Sequence, residues 1–229
     1  MFWHTKTIAE VMTILDSSEG GLTEEQVAER FLKYGHNKLP EEKQETILSI
    51  FLRQFQSPLI YLLLGAALVV FIMGDTTEAL IIFIVLFINA VIGMIQEGRV
   101  QNTLSALKKL SETSAVVLRG GREVVVKDQE VVPGDIVILQ EGEKVPSDAR
   151  VIFENHLKVD EASLTGESMP VVKTLKEMGD QNTPISDQRN MVFKGTNILS
   201  GNATAIIVST GINTEIGKIA QKISSIDTE

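Results

Sequence analysis

The 229-residue chain has no cysteine, which excludes disulfides, thiolate metal sites and cysteine nucleophiles. Only three histidines are present, His4, His36 and His156, scattered too widely to suggest a zinc site. There is no excess of basic residues: the formal net charge is −9, and the acids are spread along the chain rather than gathered in a tail. A nucleic-acid binder would normally carry a basic stripe, so no nucleic-acid partner is expected. Met1–Glu10 has no apolar core of the length a secretory signal needs. "GINTEIGKI" (Gly211–Ile219) falls short of a phosphate-binding P-loop. Five residues separate its glycines instead of four, and Ile219 stands where a metal-binding Ser or Thr is required.

What is present is a mixture. Hydrophobic residues make up 44% of the chain and the mean hydropathy is +0.14, high for a soluble protein with 22% charged residues. Such averages point to very apolar segments set among ordinary globular ones, in one large domain or two modest ones. Two runs, "PLIYLLLGAALVVFIM" (Pro58–Met73) and "ALIIFIVLFINAVIGMI" (Ala79–Ile95), contain no charged residue. Each approaches the roughly 20 residues that carry a helix across about 30 Å of hydrocarbon. A pair of buried helices in a soluble core is the competing reading. The absence of a polar face over such lengths argues against it. The short "GDTTE" linker makes the two spans a hairpin, with Asn89 placed to bond a neighbouring helix.

The loop between the runs carries Asp75 and Glu78, while Lys43, Arg53, Arg99, Lys108 and Lys109 flank the pair. The positive-inside bias then puts both termini in the cytoplasm. That orientation removes meaning from the glycosylation sequon at Asn202.

Ahead of the apolar runs, Ile8, Val11, Met12 and Leu15 recur at helical spacing. A second helix starts with Thr23 and Gln26 in capping-box spacing, presents Val27, Phe31 and Leu32 as its buried face, and stops at Gly35. After the runs, Val100, Leu104 and Leu107 extend a helical stalk. From Ala115 the pattern turns to short β-branched strands. "SAVVLRGGREVVVK" is a hairpin signature, and "VVPGDIVIL", "ARVIFE", "LKVDEA", "NMVFKGT" and "NATAIIVST" continue the series. A compact β sandwich or distorted jelly roll is expected, followed by a helix through Ile216, Ile219, Ala220 and Ile223. The acids of "VPGDI" and "GEKVPSD" are expected to bond nearby backbone amides.

"DEASLTGESMP" (Asp160–Pro170) is different in kind. Gly166 permits a backbone geometry closed to other residues, Thr165 and Ser168 can orient the loop, and Glu167 is left as a hydrogen-bond acceptor for water. Taken alone, the stretch reads as an ordinary surface turn sooner than as a catalytic loop.

Together with "VPGDI", "GEKVPSD" and "MVFKGT", however, this loop resembles the actuator domain of P-type cation-transporting ATPases, in the type II branch that includes calcium and sodium pumps. The order of parts is also similar, over nearly the whole chain. Glu143 and Ser147 depart mildly, standing where the family often has Asp and Ala. The resemblance implies an α+β membrane protein: a transmembrane helical hairpin plus a cytoplasmic distorted β jelly-roll actuator domain with N-terminal helices. The expected divisions are N-terminal helices at 1–50, the hairpin at 51–98 (spans about 57–74 and 78–96), and stalk with actuator at 99–229.

It also implies that the loop's glutamate, here Glu167, promotes hydrolysis of an aspartyl-phosphate carried by another domain, with Thr165, Gly166 and Ser168 completing the motif. The family's Asp-Lys-Thr-Gly phosphorylation motif is absent from these 229 residues. No cofactor is therefore expected in this chain, and Mg-ATP is implied only for the full-length pump. The implied partners are the lipid bilayer, the pump's phosphorylation, nucleotide-binding and membrane domains, and the transported cation, with calcium the first expectation. The chain is expected to be the front section of such a pump and inactive alone. A stand-alone membrane-anchored β module that regulates a complete pump is the alternative.

Overall fold

A computed structural model describes residues 1–39, 46–110 and 113–226. The chain forms two compact units, one from residues 1–41 with 112–229 and the other from residues 42–111.

The first unit is built on a seven-stranded antiparallel sheet. Its strands are β1 (Ser114–Arg119), β2 (Arg122–Lys127), β3 (Ile136–Gln140), β4 (Asp148–Asp160), β5 (Val171–Val172), β6 (Met191–Val192) and β7 (Asn197–Ser209). They lie in the order β2-β1-β3-β7-β4-β5, with β6 also pairing β4. The β1–β2 turn is Gly120-Gly121, both at positive φ (56° and 74°), the backbone that a two-residue hairpin demands. "ARVIFE" and "LKVDEA", expected as separate strands, join as one long β4. The break in alternation between them is absorbed by bulges against β7 instead of by a loop. His156 takes φ 54° there, and Gly201 opposite takes φ 80°. A Cβ on Gly201 would lie 2.4 Å from the Asn155 carbonyl oxygen.

Strand alternation sends β7 side chains to two cores. Ala203, Ala205 and Ile207 join Val117, Val137, Leu139, Val151 and Val159 in the larger one. Ile206 and Val208 join Met191, Phe193 and, from the N-terminus, Val11 and Leu15 in the smaller. Helix α1 (Ile8–Ile14) thus docks on the sheet through the face that its spacing marked, and starts from a Thr7–Glu10 capping box.

Helix α2 (Glu24–Tyr34) begins with the expected Thr23–Gln26 box and ends at Gly35, φ 70°. Its expected buried face is narrower than the spacing suggested. Val27 and Phe31 are half-buried, and Leu32 is 91% exposed. Leu32 sits about 100° round the helix from Phe31, outside the contact stripe. Much of the anchoring comes from Arg30, whose guanidinium donates to the carbonyls of Leu15, Asp16 and Pro133.

The second unit is helical: α3 (Ile47–Gln54), α4 (Pro58–Ile72) and α5 (Thr76–Leu110). Pro58 at the first helical position starts α4, and α3 meets it at a 65° bend. Helix α3, capped by Thr46, runs through the expected division at residue 50. The segment Thr76–Thr103 of α5 is long and apolar enough to cross a membrane, and α3 with α4 qualifies only as a bent pair. Small residues Ala67, Ala79 and Ala90 are buried, with Ile60 and Leu86, while Asn89 is exposed. Arg53 pairs with Glu97 at 3.4 Å. Lys43 and the side chains of Leu104, Leu107, Lys108 and Lys109 lie outside the described residues.

Candidate functional site

Asp160 ends β4, and its carboxylate accepts from the Ala162 amide (3.0 Å), turning the chain into the single-turn helix α6, Ala162–Thr165. The Glu161 carbonyl accepts from the amides of Leu164 and Thr165, both at 2.9 Å, and from the Thr165 hydroxyl at 3.0 Å. Gly166 then reverses the direction in the left-handed region, φ 77° and ψ −1°. Glycine adopts that conformation without the Cβ penalty that most side chains would meet, which is why it suits this position. The Glu167 amide donates to Thr165 Oγ1 (3.2 Å), so Thr165 both holds α6 and fixes the entry to Glu167. Gly166, Glu167, Ser168 and Met169 are exposed, Met169 at 80%. The structure therefore brings Thr165, Gly166 and Glu167 together in one turn, with Ser168 next in the chain. The Glu167 side chain stands on the outer surface of the β unit, not packed within it.

Beneath the loop lies a feature that the sequence reading missed. Lys173 Nζ and Glu161 Oε1 are 2.5 Å apart, with side chains 0% and 1% exposed. Burial pushes the Glu161 carboxyl up and the Lys173 ammonium down, each toward its neutral form, and their mutual attraction opposes both shifts. Two charges at either end of "EASLTGESMPVVK", bracketing an uncharged stretch except for Glu167, were the available signal.

The acids of the two strand-punctuating motifs serve structure. Asp135 accepts from Val132 N–H (2.9 Å) and from Arg119 (2.6 and 2.9 Å), a local arrangement as expected. Asp148 reaches further, to the amides of Lys194 (2.9 Å) and Glu215 (2.7 Å). Burial pushes its carboxyl up to about 6 despite those two donors. It caps the start of α7 (Glu215–Ile226) alongside Thr214, whose Oγ1 accepts from the Gly217 amide. The "GINTEIGKI" glycines thus serve a tight helix start: a Cβ on Gly217 would lie 2.3 Å from the Gly211 carbonyl oxygen. Among the described residues no group of three or more His, Asp or Glu side chains is placed to hold a metal ion.

A β unit with an N-terminal helical cap and a surface Thr-Gly-Glu-Ser turn defines a class, and two matches to known families state which. Residues 109–224 match the P-type ATPase actuator domain, and residues 3–70 match the cation transporter/ATPase N-terminus. The chain belongs to the P-type cation-transporting ATPases. A calcium-transporting ATPase of Listeria monocytogenes is 38% identical over 226 residues, covering 99% of this chain and 26% of that protein. A calcium-transporting ATPase of Bacillus cereus is 38% identical over 232 residues, with the same coverages. A probable cation-transporting ATPase F of Mycobacterium tuberculosis is 37% identical over 219 residues, 95% of this chain and 24% of that protein. The chain spans about a quarter of the length of these curated relatives.

Proposed function

We propose that this chain supplies the actuator and first membrane hairpin of an ATP-driven cation pump, and that Glu167 promotes hydrolysis of the pump's aspartyl-phosphate. The observation that carries this reading is the exposed Glu167 on a turn fixed by Gly166 and Thr165. A carboxylate there is free to meet a phosphate brought from another domain. Water attacks phosphorus in line, its proton passes to Glu167, and the bond from phosphorus to the aspartyl oxygen breaks to leave carboxylate and inorganic phosphate. Ser168 and Thr165 shape the turn that presents the base. Presenting it in only one arrangement of the pump makes hydrolysis conditional on the transport step.

The distorted jelly-roll description suits the bulged antiparallel sheet with two cores. For the hairpin, the apolar α5 is one span, and the bent α3–α4 pair supplies the other. Asp75 and Glu78 in the connection, against Arg53 and Arg99 beyond it, favour cytoplasmic termini. The phosphate donor in this reading is Mg-ATP, bound by other parts of the pump. The two calcium-transporting relatives favour calcium as the cargo. Near-complete coverage of this chain by pump sequences leaves the stand-alone regulatory module without support.

In the full-length pump, E167Q is expected to raise the steady-state level of phosphorylated enzyme while lowering ATP turnover. Equal falls in both would overturn the assignment.

A further inference from the structure

The segment from Glu161 to Lys173 leaves β4 and returns to it, and its two ends are fixed in different ways. At the first end, the Glu161 backbone carbonyl takes the three bonds that wind α6 and orient Thr165. At the other, Val171 and Val172 pair with Val159 and Lys158 of β4, and the Lys173 amide donates to the Leu157 carbonyl at 3.0 Å. The ion pair ties these ends across the base of the loop. Neither carboxylate oxygen of Glu161 makes a hydrogen bond to any other described residue, and Lys173 Nζ otherwise overlies the Phe193 ring at 5.7 Å. The pair's one ionic contact joins the start of α6 to the end of the strand that returns to the sheet. Two fully buried charges are a costly way to fill space, and apolar side chains of the same volume would stabilise the fold as well or better.

We propose that Glu161 and Lys173 are positioning residues for the phosphate-hydrolysing step: their ion pair fixes α6, and through Thr165 and Gly166 the register at which Glu167 is presented. The proposal rests on the reading of Glu167 given above. A base misplaced by about 1 Å forfeits on the order of a hundredfold in rate, so slack at the root of this loop reaches the chemistry directly.

The test uses the full-length pump containing this chain, with E161Q, K173M and the double variant E161M/K173M. The double variant keeps the volume and removes both charges, so it retains the fold when a single variant does not. Phosphorylation by ATP is expected within about twofold of wild type, while phosphate loss slows roughly tenfold to a hundredfold. Adding E167Q to the double variant gives no further slowing beyond E167Q alone. In the 229-residue chain, amide exchange at Leu164–Glu167 accelerates while Val151 and Ala205 in the sheet stay protected. Wild-type phosphate loss in a folded double variant overturns the proposal, as do parallel falls in phosphorylation and phosphate loss. So does collapse of all three variants, which would mark the pair as structural only. If E167Q itself loses phosphate at the wild-type rate, the reading of Glu167 has failed. The exchange measurement then still decides whether the pair holds the loop.

Discussion

Arg150 to methionine is the substitution whose cost follows most completely from the structure. The Arg150 side chain is fully buried and donates to four backbone carbonyls: Val151 at 2.7 Å, Leu175 at 2.9 Å, and Asn190 and Lys6 at 3.3 Å. Among the described residues no carboxylate forms an ion pair with it, and Glu177 attracts it only from further off. Desolvation lowers its pKa to about 10, so burying the charge costs about 3 kcal/mol. The two shorter bonds contribute about 2–3 kcal/mol each and the longer two about 1 each, so the gain exceeds the cost. Methionine matches the length, avoids the desolvation, removes a buried Nε that has no partner, and takes one donor from each of the four carbonyls, of which Asn190 keeps the Val151 amide at 3.0 Å. The net expected loss is about 3–5 kcal/mol, a large part of the stability of an ordinary domain.

Trp3 is the chain's only tryptophan and packs against the smaller core of the same unit, so its fluorescence reports the relevant transition. Urea unfolding of the chain in detergent, followed at Trp3, should show the loss as a lower midpoint with little change in slope. A loss below about 1 kcal/mol would show that the carbonyls find other donors and that the bond energies assigned here are wrong.

Other expectations follow from single sites. Asp148 has its folded pKa raised to about 6 from an ordinary 3.8, so the native state binds the proton more tightly than the unfolded state does. Its contribution is therefore most favourable below pH 3.8 and is lost as pH rises toward 6, by about 3 kcal/mol in all. D148N should flatten that part of the stability curve, measured by urea unfolding between pH 4 and 7. G201A places a methyl 2.4 Å from the Asn155 carbonyl oxygen at φ 80° and should cost about 3 kcal/mol. G179A, with open space around it and an ordinary φ, should stay within about 0.5 kcal/mol, both read as shifts in unfolding midpoint.

Local rules carried much of this molecule, and long-range ones did not. The Thr23–Gln26 box, the Gly120-Gly121 hairpin and the docking face of α1 each depend on residues a few positions apart, so they could be read directly. The Thr-Gly-Glu-Ser turn was legible for the same reason, since the left-handed Gly166 is a local demand. Leu32 was misread because helical spacing gives the direction of a side chain but not the width of the surface that meets it. The merging of two strands into β4 depended on a bulge at His156 against Gly201, some 45 residues away in sequence. The ties of Asp148 to Lys194 and Glu215, and of Glu161 to Lys173, are set by tertiary pairing. No pattern in a single sequence states which buried charge will find which partner.

The role proposed for Glu167 is to handle the water that removes phosphate from an aspartate elsewhere in the pump. Its most direct test is the rate of phosphate loss after labelling the full-length E167Q pump with ATP and chasing with unlabelled nucleotide. A general base supplies about 10²–10⁴ in rate, so loss should slow at least a hundredfold while labelling proceeds normally. Release at the wild-type rate would rule out that role for Glu167.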